Sequence, residues 1–262
     1  MSESVLVAVN DAVATITFNR PGSLNSASLE FKTALLGALQ RVSDDSGVRA
    51  VILTGAGSAF SAGQDLAEHA ALLEAGDPAP LTTVTEHFNP IARAILGMPK
   101  PVIAAVNGVA AGAGASFALA ADFRVMAESA SFLLAFAGVG LSLDSGASWL
   151  LPRLIGHARA SALALLAERV TAEQALEMGM VNAVVPDDRV LPAAAELATR
   201  LAAGPTLAYA AIKESLIYAE TSTFDEALAK EAELQAALGG TADHHNGTAA
   251  FLAKQRPTFT GK

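Results

Sequence analysis

Residues 101–116 read PVIAAVNGVAAGAGAS. The first half is a short apolar run between a proline and an Asn-Gly pair, which is typical of a buried strand. The glycine-rich second half predicts a turn into another helical run, and residues 84–96 before the strand have helical spacing. A helix, a buried strand, a tight turn and a second helix in this order predict an α/β fold.

The same alternation of predicted strands and helices continues towards the amino terminus. β-Branched runs at residues 5–9 and 13–18 flank Asn10-Asp11 and predict an opening hairpin. A helix at residues 27–42 and a strand at residues 50–54 are expected next. After about Val190 the pattern is almost wholly helical. We therefore predict an α/β core over residues 1–190 and a C-terminal helical region over residues 191–262.

The composition excludes several classes of function. The 262 residues carry 26 acidic and 17 basic side chains, and this formal net charge of -9 offers no basic face to nucleic acid. Cysteine is absent, so disulfides, thiolate nucleophiles and cysteine metal ligands are excluded. The apolar runs are far shorter than the roughly 20 residues of a membrane span, and the first residues do not have the pattern of a signal peptide. We expect a soluble, cytoplasmic protein with no nucleic-acid or membrane partner.

Two glycine-rich turns are the first candidates for a functional site. Residues 53–66 read LTGAGSAFSAGQDL, and this turn and the one at residues 107–116 each follow a strand and enter a helix. Such turns expose backbone N–H groups, and two of them on adjacent strands can converge on the oxygen of a developing enolate. Taken alone, each is better explained as an ordinary strand-to-helix connection. Neither turn fits the dinucleotide-binding or P-loop pattern.

Further motifs accompany the two turns in a fixed order: FNRP at residues 18–21, Leu24-Asn25, and AEQALEMGMVN at residues 172–182. On these residues the sequence resembles the crotonase (enoyl-CoA hydratase/isomerase) superfamily, essentially from end to end. The resemblance implies a crotonase-like spiral of ββα units and a homotrimer or dimer of trimers with oligomerisation through the C-terminal helices. It also implies an acyl-CoA thioester substrate whose carbonyl oxygen is held by the backbone N–H groups of Gln64 and Ala113.

The candidate acid and base is Asp144. Hydratases of this superfamily use two glutamates, but the matching positions hold Ser116 and Phe136, so hydration by such a pair lacks both acid–base groups. Asp144 is the one carboxylate in residues 132–146, which are otherwise apolar or small. Related isomerases and dehalogenases place a working aspartate here, and burial in an acyl pocket raises the pKa of such a group. Without the family context, Asp144 is better explained as a helix N-cap.

Other motifs narrow the resemblance. EHFNP at residues 86–90, DSGASW at residues 144–149 and LPRLIG at residues 151–156 are similar to the ring-1,2-epoxyphenylacetyl-CoA isomerases of phenylacetate degradation. Leu143 and Gly138 depart from that pattern, which usually has a proline and a bulkier residue at these positions. The reaction class is therefore better supported by the sequence than the identity of the substrate.

The sequence matches the dehalogenases of the superfamily less well. Dehalogenation requires a histidine base in the helix before the second turn, and Asn89 occupies that position. His87 lies two residues away, roughly 200° around a regular α-helix, so we interpret it as a polar helix residue or a hydrogen-bond partner at the pocket edge. His244-His245 is interpreted as part of a solvated turn because adjacent residues on a helix diverge, and no metal site is predicted.

The resemblance also implies contacts with the rest of the substrate. Arg20, Lys254 and Arg256 are candidates for the coenzyme A phosphates, with Lys254 reaching from a neighbouring subunit. Phe251 is a candidate for the adenine or pantetheine region. Ordinary surface exposure is the alternative for each. The complete set of predicted substrate-binding residues is Arg20, Ala62, Asp65, Leu66, Asn89, Gly112, Phe136, Phe251 and Lys254. Residues expected to add to an apolar acyl pocket are Phe117, Leu133 and Leu134. No cofactor besides the substrate's own coenzyme A is expected.

These residues together predict an enzyme, an acyl-CoA isomerase. The Gln64 and Ala113 N–H groups acidify the acyl α-protons, and Asp144 removes and returns a proton. A double bond then shifts, or an epoxide or oxepin rearranges, in an unsaturated or ring-bearing acyl group. Two alternatives stay open: an enoyl-CoA hydratase of the fatty-acid β-oxidation type, and a non-catalytic acyl-CoA-binding protein.

Overall fold

The computed structural model describes residues 3–262, which form ten strands and eleven helices. The strands are β1 (Val5–Asn10), β2 (Val13–Phe18), β3 (Ala50–Gly55), β4 (Ala59–Ser61), β5 (Val102–Val106), β6 (Val109–Ala111), β7 (Phe123–Ala127), β8 (Ser131–Leu133), β9 (Arg169–Thr171) and β10 (Ala183–Val185). The helices are α1 (Leu29–Asp44), α2 (Leu66–Glu74), α3 (Asn89–Leu96), α4 (Ala113–Ala120), α5 (Ala147–Ile155), α6 (His157–Leu166), α7 (Ala172–Glu177), α8 (Val190–Ala202), α9 (Thr206–Ala219), α10 (Phe224–Gly239) and α11 (Ala242–Leu252).

The strands form two sheets. The larger sheet has the order β1-β2-β3-β5-β7-β10 and the smaller one the order β4-β6-β8-β9. β1 and β2 form the predicted antiparallel hairpin, whereas β2, β3, β5, β7 and β10 run parallel. In each of the pairs β3–β4, β5–β6 and β7–β8, the first strand joins the larger sheet and the second joins the smaller one. A helix follows each pair, so these segments form the predicted spiral of ββα units.

The core lies on the larger sheet. β3 and β5 are continuous apolar runs that are buried along nearly their whole length, as expected for parallel strands covered on both faces. The ring of Phe18 meets those of Phe31 and Phe60 edge-on, with centroid distances of 5.2 and 5.0 Å. These contacts join the hairpin, α1 and β4, and thereby fix the first glycine-rich turn against the core.

The smaller sheet positions the candidate site. β4 pairs in parallel with β6, and β6 pairs in parallel with β8. Parallel strands have their carboxyl ends at the same edge, so the residues that follow β4, β6 and β8 meet there. The backbone N–H of Gly112 donates to Leu133 O at 3.0 Å and holds the second glycine-rich turn against the end of β8.

The C-terminal region consists of helices α8 to α11 followed by a non-helical tail at residues 253–262, and the described chain has no strand after β10. α8 packs its buried alanines against the larger sheet, so by packing it belongs with the core. Lys213 of α9 donates to Asp122 Oδ2 at 2.7 Å and to Lys100 O at 3.0 Å, which fastens the outer helices to the sheet. The division at residue 190 stays a prediction. No helix in residues 3–262 has the length and apolar character needed to span a membrane.

Candidate active site

A pocket lies at the edge of the smaller sheet where β4, β6 and β8 end, with a cavity volume of about 100 Å³. Its wall is mainly apolar, and Gln64, His69, Thr83 and Asp144 are the polar side chains of its lining within residues 3–262. The apolar side chains that line it are Ala62, Leu66, Leu81, Val84, Phe88, Ala113, Ala135, Phe136, Val139 and Leu141. A largely apolar pocket with a few polar side chains is typical of a small-molecule binding site.

The two glycine-rich turns converge at this pocket. Gly63 has φ +83°, and a Cβ added there would lie 2.7 Å from Ala111 O and 3.2 Å from Ala113 N. A Cβ added at Gly114, in the first turn of α4, would overlap the backbone oxygen of Ser61. Both positions therefore require glycine for the close approach of the two chains, and Gly63 requires it also for its left-handed backbone.

Two backbone donors are available at the meeting point. Ala113 is the first residue of α4, so its N–H has no acceptor within the helix and lies at the positive end of the helix dipole. The Gly63 carbonyl and the Asp65 N–H both bond to Ala27, at 2.7 and 3.4 Å, which turns the intervening Gln64 N–H the other way. Within residues 3–262, neither the Gln64 N–H nor the Ala113 N–H has a backbone acceptor. Gln64 and Ala113 both line the pocket.

Asp144 lies in the loop before α5 and lines the same pocket. Its backbone oxygen accepts hydrogen bonds from Ser116 Oγ at 3.3 Å and from Ala147 N at 3.0 Å, which fix the loop against α4. Gly146 is the N-cap residue of α5, and no side chain caps this helix. The alternative explanation of Asp144 as an N-cap is therefore wrong, and its carboxylate is free for another role.

The environment of Asp144 alters its acidity. Burial raises the pKa of its carboxyl above the ordinary 3.8, and a hydrogen bond from Ser145 opposes this rise. The Ser145 hydroxyl lies 2.8 Å from Asp144 Oδ1, and Ser145 is itself buried with a left-handed φ of 53°. A carboxylate with a raised pKa is a stronger base, and its conjugate acid is still able to return the proton.

Ser145→Ala is expected to move the acid limb of the pH profile of kcat/KM to higher pH. The hydroxyl stabilises the ionised carboxylate, so its loss raises the pKa of Asp144 further, and a general base works only when deprotonated. Initial rates across the acid and neutral range measure the shift. Ser148→Ala, at an exposed position of α5, is the control. An acid limb that stays in place in Ser145→Ala would show that the Ser145 hydroxyl does not act on the group whose titration produces that limb.

The structure brings most of the predicted site together. The predicted residues that line the pocket are Ala62, Gln64, Leu66, Gly112, Ala113, Phe136 and Asp144. Arg20 and Asp65 bond to each other instead, with 2.9 Å between Arg20 Nη1 and Asp65 Oδ2. Asp65 also caps α2 by accepting from Ala67 N and Glu68 N. This pair braces the turn before α2, and roles of Arg20 and Asp65 in substrate binding stay predictions.

The segment before α3 differs from the predicted regular helix. Val84–Phe88 form a π-helical turn, and α3 begins at Asn89. His87 belongs to this wider turn and not to a regular α-helix, and it does not line the pocket, as predicted. The turn presents Thr83, Val84 and Phe88 to the pocket, whereas Asn89 does not reach its wall. The Nδ1 atom of His87 lies 3.2 Å from Thr83 Oγ1, as expected for a hydrogen-bond partner at the pocket edge.

The other predicted contacts lie elsewhere. Phe117 and Leu134 are fully buried in the core, and the Phe117 ring centroid lies 6.1 Å from that of Phe88 behind the pocket. Phe251 is 81% exposed and lines a groove of about 480 Å³ formed by α9, α10 and α11. Lys254 follows α11 and is exposed. Neither Phe251 nor Lys254 lines the pocket at the edge of the smaller sheet, and their contacts with coenzyme A stay predictions.

Sequence reasoning missed three polar residues at this pocket. His69 and Thr83 line it, and Lys32 donates to Thr83 from behind the wall. Lys32 could have been found from the sequence, because a lysine on the apolar face of α1, beside Leu35 and Leu39, indicates a buried charge. Thr83 and His69 gave no such signal. No group of three or more potential metal ligands occurs anywhere in the described range 3–262.

Known proteins resemble this chain in both sequence and structure. The model of the Enoyl-CoA hydratase/isomerase family matches residues 8–262. The chain is 46% identical to the 1,2-epoxyphenylacetyl-CoA isomerase of Escherichia coli (strain K12), with 100% of both chains covered. It is 42% identical to the "Probable enoyl-CoA hydratase" of Rhodobacter capsulatus, covering 97% of this chain and 96% of that one.

A solved structure extends the similarity to the fold. The crystal structure of an enoyl-CoA hydratase from Bacillus anthracis superposes with a TM-score of 0.92 at 33% identity, covering 99% of this chain and 100% of that one. The match confirms the predicted crotonase-type α/β fold, and the family match covers both glycine-rich turns and Asp144. The chain belongs to the enoyl-CoA hydratase/isomerase family.

Proposed function

We propose that this protein is an acyl-CoA isomerase in which Asp144 moves a proton on the acyl group while the Gln64 and Ala113 N–H groups hold the thioester oxygen. Family membership supports an acyl-CoA isomerase or hydratase. The observation that favours an isomerase is the presence of one carboxylate, Asp144, among the described residues that line the pocket. Ser116 and Phe136 stand where the superfamily's hydratases carry their two glutamates.

One carboxylate is sufficient for isomerisation. The thioester carbonyl accepts two backbone hydrogen bonds, so negative charge that develops on its oxygen is stabilised. The Asp144 carboxylate removes a proton from C2 of a 3-enoyl thioester, and the electron pair of the C–H bond moves into the dienolate. Asp144 then returns the proton to C4 and leaves a 2-enoyl thioester. Hydration would require another group to activate water.

The apolar side chains of the pocket also favour isomerisation over hydration. Leu66, Phe88, Phe136 and Val139 line the space proposed for the acyl group and supply no acid or base that could activate a water. A ring-bearing or unsaturated acyl group matches this wall, and the 46% identical relative is named an epoxyphenylacetyl-CoA isomerase. Rearrangement of an epoxide or oxepin on such a ring, as in phenylacetate degradation, is the specific form of the proposal.

Turnover assays with two classes of thioester test the proposal. Purified protein is expected to isomerise 3-hexenoyl-CoA, or to rearrange 1,2-epoxyphenylacetyl-CoA, with kcat/KM at least about 10²-fold above that for hydration of crotonyl-CoA, in line with the usual contribution of a positioned acid or base. Faster hydration of crotonyl-CoA would contradict the proposal and favour the hydratase alternative. Tight thioester binding without turnover of any of these compounds would favour a non-catalytic binder.

The assembly that we propose is a homotrimer or a dimer of trimers. Large apolar side chains on α9, α10 and α11 are exposed in the single chain, and they include Leu216, Phe224, Phe251 and Leu252, at 66% to 81%. Such surface is normally covered by a partner. Under this proposal, Phe251 and Lys254 contribute to the coenzyme A site of a neighbouring subunit. Sedimentation equilibrium measures the number of subunits.

A further inference from the structure

A buried lysine lies behind the wall of the acyl pocket. Lys32 of α1 is 3% exposed, and its Nζ donates to Thr83 Oγ1 at 2.7 Å. The same Nζ lies 5.2 Å from the centroid of the Phe88 ring. Thr83 and Phe88 both line the pocket, so the lysine side chain is separated from the pocket by a single side chain.

A lysine at this position is unfavourable for the fold alone. Burial lowers the pKa of Lys32 because the ammonium loses water, while the charges of Glu68 and Asp65 act in the opposite direction. Within residues 3–262 the ammonium makes a side-chain hydrogen bond to Thr83 and has two further N–H groups. An apolar residue of similar length would fill the same space without this desolvation penalty. The charge is therefore better explained by an effect on the pocket than by stability.

The Thr83 hydroxyl is the group through which this charge reaches the pocket. A hydroxyl that accepts a hydrogen bond from a cation is polarised and becomes a better donor. His87 Nδ1 lies 3.2 Å from the same oxygen. When Nδ1 carries a hydrogen it also donates to Thr83 Oγ1, and the hydroxyl hydrogen of Thr83 is then free to point into the pocket.

Two more polar side chains line this pocket. Gln64 Oε1 and His69 Nδ1 are buried and have no hydrogen-bond partner within the described residues. Buried polar atoms normally have a partner, and a bound ligand or its water can supply one. The wall near α2 and the π-helical turn is therefore more polar than the wall formed by Phe136, Val139 and Leu141.

We propose that Thr83, with its hydroxyl held by the buried ammonium of Lys32, forms a polar subsite that donates a hydrogen bond to an oxygen atom of the acyl group. The preferred ligands are acyl thioesters that carry an ether, epoxide, hydroxyl or carbonyl oxygen away from the thioester. This inference rests on the proposed function, since it uses the same acyl pocket. Lys32 acts through Thr83 and is a positioning residue.

Binding of saturated thioesters tests the subsite without any turnover. Calorimetry would give Kd for hexanoyl-CoA and for its three analogues hydroxylated at C4, C5 or C6, with wild type, Thr83→Val, Thr83→Ser and Lys32→Met. For the best analogue, the preference over hexanoyl-CoA is expected to fall roughly 3- to 10-fold in Thr83→Val, the effect of one hydrogen bond. Thr83→Ser keeps the hydroxyl and should keep the preference, and Lys32→Met should weaken it.

Thr85→Val is the matched control, because Thr85 is exposed on the same turn and its hydroxyl bonds to Thr82 O at 2.9 Å. Equal preference ratios in wild type and Thr83→Val for all three analogues would overturn the subsite. A purely structural role of Thr83 would change the Kd of every thioester by the same factor and leave the ratios constant. That result would also contradict the proposed subsite. Because these thioesters have no double bond to shift, failure of the isomerase proposal would appear in the turnover assays and not here.

Discussion

Asp144→Asn is expected to lower kcat for isomerisation of 3-hexenoyl-CoA by about 10²- to 10⁴-fold, the usual contribution of a general acid–base group. Asparagine has the same shape as aspartate but does not remove a proton at neutral pH. The loop should keep its conformation, because it is held through the backbone oxygen of residue 144 by Ser116 and Ala147. The Kd of the thioester should therefore change little.

Steady-state kinetics together with calorimetric binding measure both parts of this prediction. Asp188→Asn removes the same charge at an exposed position and serves as the matched control. A variant that binds the thioester and turns it over at the wild-type rate would show that another group moves the proton. His69, which also lines the pocket, would then be the next residue to replace.

Gly63→Ala is expected to lower kcat by about 10²- to 10³-fold, the usual effect of losing one oxyanion-hole donor. The new Cβ would lie 2.7 Å from Ala111 O and 3.2 Å from Ala113 N, so the two turns must move apart. The N–H groups of Gln64 and Ala113 would then no longer converge on one oxygen. Alanine at a φ of +83° also strains the backbone, so stability is expected to fall as well.

Gly76→Ala separates the two effects of that substitution. Gly76 has a similar φ of +70°, but an added Cβ there has no neighbour within 4 Å. It therefore reports the backbone strain without displacing a turn. Tm and kcat should be measured for both variants, with kcat taken where circular dichroism shows folded protein. Similar kcat values in the two variants would contradict the convergence of the turns as the source of catalysis.

Much of the fold and of the site could be predicted from local sequence pattern. The alternation around Asn10-Asp11 predicted the hairpin, and the apolar run at residues 101–106 predicted a buried strand next to a glycine-rich turn. The convergence of the two turns was predictable because the glycines mark where each strand ends. Asp144 was identifiable because it is a lone carboxylate in an apolar stretch and matches the family's working aspartate.

The remaining features depend on contacts between distant residues or on a local irregularity. Arg20 pairs with Asp65 across 45 positions, and Lys32 reaches Thr83 across 51, and no periodicity in one segment indicates either contact. The π-helical turn at Val84–Phe88 places Phe88 at the pocket wall, whereas the family resemblance had indicated the next residue, Asn89. In both cases the missing information is tertiary packing.

Exchange of the acyl α-protons in deuterated buffer tests the central claim most directly, because it follows the proposed proton transfer itself. Nuclear magnetic resonance of hexanoyl-CoA would show whether the enzyme replaces hydrogen by deuterium at C2, a step that needs the N–H groups of Gln64 and Ala113 and the Asp144 carboxylate. We predict exchange with the wild type and, at equal occupancy, loss of exchange in Asp144→Asn. Equal exchange in both proteins would contradict the assignment of Asp144 as the proton carrier.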